Sequence, residues 1–152
     1  MGNFEEKLQA LGKKLPDLAR PVAAYVPAVS CRGFVFTSGQ LPFVNGVLQQ
    51  EGLVADSVSI ADARDLAEIC ALNALSAIKH LIGDLDLISA IVKITGFVAS
   101  APGFTGQPQV IDGASCLLSK VFGAGHARSA VGVSALPLNA PVELELIASI
   151  VD

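Results

Sequence analysis

The chain has 152 residues, 52% of them hydrophobic, with a formal net charge of −4, a pI near 5.0 and a mean hydropathy of +0.59. That length suits one domain with a proper core. The ten basic residues are scattered, with Lys13–Lys14 the one adjacent pair, which excludes the basic stripe that a nucleic-acid surface needs. Uncharged stretches such as that from Ile94 to Ile111 are broken by Gly, Pro and Gln, so none reads as a membrane span. The polar, amphipathic start MGNFEEKLQALGKKLP does not read as a signal peptide, and a cytoplasmic protein is expected. The apolar excess then predicts surface buried between copies of the chain.

In chain order, Asn3 to Leu15 is expected as a helix with Phe4, Leu8, Leu11 and Leu15 on one face, ended by Pro16 and Pro21. Short strands over Tyr25 to Ser30 and Phe34 to Ser38 follow, joined by a tight turn at Cys31-Arg32-Gly33. Asn45-Gly46 marks a further turn. The clearest helix runs from Ile60 to Ile82, with Ser59 and Asp62 spaced as a cap and Gly83 as a stop. Its stripe of Ala63, Ala67, Cys70, Ala74 and Ile78 predicts close approach to a flat partner such as a sheet. A strand is expected from Ile88 to Ser100, with Lys93 and Thr95 alternating against Val92 and Ile94. A last helix spans Pro108 to Phe122, before Gly123. Strands over Ser129 to Leu136 and Val142 to Val151 close the chain.

This order predicts an α+β fold: one domain over 1–152, with 1–20 a helical extension, and a mixed sheet with helices packed on one face. The other face is expected to be rich in Val, Leu and Ile and to be covered by further copies.

Within GHARSAVGVSALP, Arg128 is the one charge, at the mouth of a run, Val131 to Leu136, that reads as buried. A guanidinium entering such a place needs an anion, either Glu143 or Glu145 of the chain itself or a bound ligand. Those two glutamates are two apart on a strand and so share a face. A half-buried carboxylate there can serve as general acid or base if burial raises its pKa; pairing with Lys93 or a solvated edge is the alternative. Cys31, Cys70 and Cys116, far apart and odd in number, are expected as buried free thiols of a reducing compartment. With His80 and His126 the only histidines, no metal site is expected, and His126, in a loop, is expected to be solvated, a pocket acid being the alternative.

The segments TSGQLP (37–42), IVKITGFVAS (91–100), HARSAVGVSALP (126–137) and APVELELIA (140–148) together resemble the RidA/YjgF family. These are reactive-intermediate imine/enamine deaminases, earlier labelled endoribonuclease L-PSP or translation inhibitor. The resemblance runs from Tyr25 to the C-terminus. The N-terminal helix and the Phe43 to Ser57 loop exceed the short core form, which places the chain in a divergent branch.

The resemblance implies a chorismate mutase-like fold and a homotrimeric barrel with helices outside and sites in clefts between subunits. It implies hydrolysis of small 2-imino or enamine acids to 2-oxo acids and ammonia, with no metal or organic cofactor. The implied partner is a small carboxylate-bearing metabolite, with neither nucleic acid nor membrane involved. Residue by residue, Arg128 holds the substrate carboxylate and Glu143 positions water. Tyr25 lines the pocket, Ser38 lies near the substrate and Gly39 lets the backbone come close. Asp112 falls where the family has an asparagine. Ala130 and Gly132 stand where core members often carry cysteine and glutamate, so Ala130 can contribute only through its backbone. A carboxylate-binding, ligand-sensing module without turnover is the alternative.

Overall fold

The computed structural model describes residues 2–18, 24–123 and 125–151. Five strands form the main sheet: β1 (Ala28–Cys31), β2 (Phe34–Thr37), β5 (Ile88–Ala99), β6 (Ala127–Val133) and β7 (Val142–Ile150). A two-stranded hairpin, β3 (Phe43–Val44) with β4 (Val47–Leu48), lies inside the segment expected as a loop. In the main sheet the order is β1-β2-β7-β5-β6, with β6 parallel to β5 and the other neighbours antiparallel. β1 and β6 are therefore its edges.

Helices α2 (Ile60–Ile82) and α3 (Gln107–Phe122) cover one face of the sheet. The Ser59 hydroxyl accepts the Asp62 N–H at 3.0 Å, and Gly83 and Gly123 follow the two helices with φ of 90° and 73°, as their sequence signals require. The alanine stripe of α2 is fully buried, and it serves α3 as well as the sheet. Gly113 of α3 abuts the main-chain carbonyl of Arg64, so a β-carbon there would collide with α2. From the strands, Val35, Ile94, Val98, Val142, Leu144, Leu146 and Ala148 complete this core.

The opposite face follows expectation in part. It does carry Val29, Ile147 and Val131, together with Phe34 and Phe36, about 40% exposed, and Phe97. Most of the strands' Val, Leu and Ile nevertheless go to the helix side, and Lys93, Thr95, Glu143 and Glu145 make the open side partly polar. Register shifts in β5 between Ile88 and Ala90 and between Ile91 and Lys93 put Val92 outside the alternation and leave it exposed.

Helix α1 (Asn3–Ala10) is shorter than predicted. Gly12, at φ 71°, turns the chain before Pro16 is reached; Pro21 lies outside the described residues. Its N-terminus is capped from far away: the Asp86 carboxylate accepts the Asn3 and Phe4 N–H groups at 2.7 and 2.9 Å. That role holds the Asp86 carboxyl below its ordinary pKa. Phe4 packs on Phe122 with ring centroids 4.5 Å apart, and Leu8 is buried. Among the described residues no helix is long and apolar enough to cross a membrane.

Candidate functional site

β6 follows directly on the loop after α3, so this edge strand runs beneath the helix that precedes it. In the parallel register Arg128 stands beside Ile94 and Ala130 beside Gly96. Ile94 is buried on the helix side, so Arg128 and Ala130 share that side with α3. There Arg128 Nη1 donates to Asp112 Oδ1 at 2.7 Å and to Ser115 Oγ at 3.3 Å. Asp112 and Ser115 are three apart on α3 and so project from one face. The guanidinium therefore meets one of the chain's own carboxylates, but it is Asp112, not Glu143 or Glu145. Nor is the run after it buried: Val131 is 42% exposed, because β6 is an edge strand whose open-side residues lie under no helix.

Ser115 extends the network. An arginine can only donate, so Ser115 Oγ accepts from it, and the same hydroxyl is hydrogen-bonded to His126 Nε2, 3.0 Å away, in the direction that the ring's tautomer sets. His126 Nδ1 is enclosed and has no partner among the described residues. His126 is thus not the solvated loop residue expected. Burial first, and the Arg128 charge second, lower its pKa and favour the neutral ring. Ser115 stands out in no motif of the sequence; its one signal there is the three-residue spacing from Asp112.

A second group lies on the open face. Glu143 and Glu145 of β7 do share it, beside Phe97 and Thr95 of β5. Burial, and then the neighbouring Glu145, push the Glu143 carboxyl above its ordinary pKa. Gly39 lies against this carboxylate, where a β-carbon would overlap Oε1. Ser38 Oγ donates to the Val26 carbonyl at 2.6 Å and so fastens the segment leading into β1. Tyr25, in that segment rather than in a strand, is 55% exposed. No pairing of Glu143 with Lys93 occurs among the described residues.

The two groups are not brought together within one chain. Arg128 and Glu143 are on opposite faces, two strands apart and three register positions along. Strand geometry puts their Cα atoms ~14 Å apart.

Elsewhere, Cys70 is buried, with its thiol pushed well up by burial and then by the Glu143 charge. Cys31 and Cys116 are free but exposed, contrary to expectation. One occupies the turn out of an edge strand and the other the outer side of α3, near Arg64. Among the described residues no group of His, Cys, Asp and Glu could hold a metal ion.

The sequence model described as Endoribonuclease L-PSP matches residues 17–150. Protein TCP17 of Trypanosoma cruzi is 41% identical over 95% of this chain and 92% of its own length. The crystal structure of protein Atu1372 of Agrobacterium tumefaciens, of unknown function, is 43% identical with a TM-score of 0.91, covering 97% of this chain and 92% of that one. The YjgF gene product of E. coli is 25% identical with a TM-score of 0.62, covering 90% and 98%. Helix α1 lies ahead of the family match.

Proposed function

Because the chain belongs to the Endoribonuclease L-PSP family, that of RidA and YjgF, we propose that it hydrolyses small 2-imino or enamine acids to 2-oxo acids and ammonia. The observation carrying this reading is Arg128: a partly open guanidinium whose Nε and Nη2 have no partner among the described residues. Two parallel donors of that kind match a carboxylate.

In this reading the chain acts as a homotrimer, with each cleft combining Arg128 and the Ala130 backbone of one copy with Glu143, Gly39, Ser38 and Tyr25 of the next. Water adds to the iminium carbon as Glu143 takes a proton from it and passes that proton to the departing nitrogen. The balance is R–C(=NH₂⁺)–COO⁻ plus H₂O giving R–CO–COO⁻ plus NH₄⁺. A carboxylate whose pKa is raised by burial is suited to that exchange. Free imines hydrolyse unaided, so positioning and one proton relay suffice, with no cofactor in the scheme. The three free cysteines accord with a cytoplasmic setting.

A second reading, a carboxylate-binding module without turnover, is favoured by Ala130 and Gly132, which offer no side-chain chemistry beside Arg128. One experiment separates the two. An amino-acid oxidase supplies imino acids from a panel of amino acids, and semicarbazide traps those that survive. Wild type should lower the trapped product and Arg128→Ala should not; equal trapping with both across the panel would sink the deaminase reading. Stabilisation by 2-oxo acids without loss of trapped imine would support the binder.

A further inference from the structure

We infer that Asp112 is a specificity-determining residue, and that the Arg128–Asp112 pair recognises the zwitterionic head of a 2-amino or 2-iminio acid rather than a bare carboxylate. This rests on the proposed role of Arg128 as carboxylate anchor and names the feature of the ligand that the anchor alone does not select.

Asp112 Oδ1 lies 2.7 Å from Arg128 Nη1, so the guanidinium is already matched by one negative charge. A bare anion approaching the pair meets attraction from Arg128 and repulsion from Asp112 at almost the same range, and the two largely cancel. A ligand carrying both signs meets no such cancellation.

Geometry points the same way. All of Arg128's contacts among the described residues use Nη1, on Asp112 Oδ1 and Ser115 Oγ. That leaves Nε and Nη2 for an incoming carboxylate, and Asp112 Oδ2, also without a partner among the described residues, to accept an N–H. Both side chains reach solvent, at 26% and 41% exposure, so the unused atoms are accessible. In a 2-amino or 2-iminio acid the cationic nitrogen and the carboxylate are bonded to the same carbon, a spacing that suits donor and acceptor sets held by one ion pair. Ala130, next along this side of β6, adds no bulk or charge. The polar residues backing the pair, Ser115 and a neutral His126, supply no further charge to upset the match.

The arrangement also separates substrate from product. Hydrolysis replaces the iminium nitrogen by a carbonyl oxygen, which has no proton for Asp112 and faces its charge instead. The 2-oxo acid is thus held more weakly than the species that entered, and release follows from the chemistry.

The test is calorimetric titration of the full chain with 2-aminobutyrate and 2-oxobutyrate, a pair differing only at this position. Wild type should bind the amino acid more tightly by about tenfold or more. Asp112→Asn keeps the shape but removes the charge, and should reverse the order in favour of the oxo acid. Arg128→Ala should bind neither, and circular dichroism shows whether each variant is folded. Preference of wild type for the oxo acid, an unchanged ratio in Asp112→Asn, or binding of neither compound to wild type would each overturn the inference. If the oxo acid is preferred and Arg128→Ala abolishes its binding, the anchor survives and only the role of Asp112 falls. If Arg128→Ala binds both as wild type does, the proposed function falls as well.

Discussion

Gly39 is packed against the Glu143 carboxylate so closely that a β-carbon at residue 39 would overlap Oε1. The absent side chain is therefore what lets a half-buried acid lie along the main chain next to Ser38. Glycine is needed here for space, not for an unusual φ: residue 39 is not among the positions with positive φ. Gly39→Ala should leave the sheet folded and displace Glu143, lowering kcat/KM for imine hydrolysis by about 10²-fold, the scale expected for a misplacement near 1 Å. Steady-state kinetics beside a thermal melt would check this, and unchanged kinetics would remove Glu143 from the chemistry.

Glu143 itself makes a prediction about pH. Its pKa is raised on folding, so the folded chain holds more protons than the unfolded one between the ordinary and the raised value. Stability must then fall as pH rises through that window. Glu143→Gln removes the liability: it should melt higher than wild type at neutral pH, with the advantage vanishing below about pH 4, where both states are protonated. Melting curves from pH 3.5 to 8 decide it, and a variant less stable than wild type at pH 7 would contradict the assignment.

His126 carries the opposite sign. Its pKa is lowered on folding, so below the ordinary histidine value of about 6.5 the unfolded state takes up the proton first and the fold loses stability. His126→Gln should flatten the melting temperature between pH 7.5 and 5.5 relative to wild type. Parallel profiles would mean that the enclosed ring titrates like one in solution.

Gly113 tests the packing that positions the site. A β-carbon there would run into the Arg64 carbonyl, a main-chain atom that cannot rotate away, so α3 would have to move off α2. Gly113→Ala should cost ~1–3 kcal/mol or more, as overpacking does. Because α3 carries Asp112 and Ser115, ligand binding should weaken too. Denaturant unfolding measures the first effect and titration the second; full wild-type stability would show that the helices can separate freely.

Much of the fold was legible in the sequence because its signals are local. The cap at Ser59, the stop at Gly83 and the small-residue stripe delimit α2 at the predicted ends, and Pro108 with Gly123 brackets α3 to within one residue. Arg128, Glu143, Ser38 and Gly39 could be singled out because they fall in short motifs. Three-dimensional packing decided the rest. Bulges in β5 reset its alternation, which no count of residues anticipates. Gly12 ends α1 early, and Asp86, more than eighty positions away, caps its start.

The anion that Arg128 meets shows the division most clearly. A lone guanidinium beside an apolar run demands a partner on solvation grounds alone, and that much is written in the order of residues. Which partner it finds depends on α3 lying over the edge strand, which brings Asp112 and Ser115 to the helix side and leaves Glu143 on the other face. Composition and local pattern thus determined the elements and the need for charge compensation. Only the stacking of helix on sheet, through contacts between segments distant in the chain, decided which charges stand together.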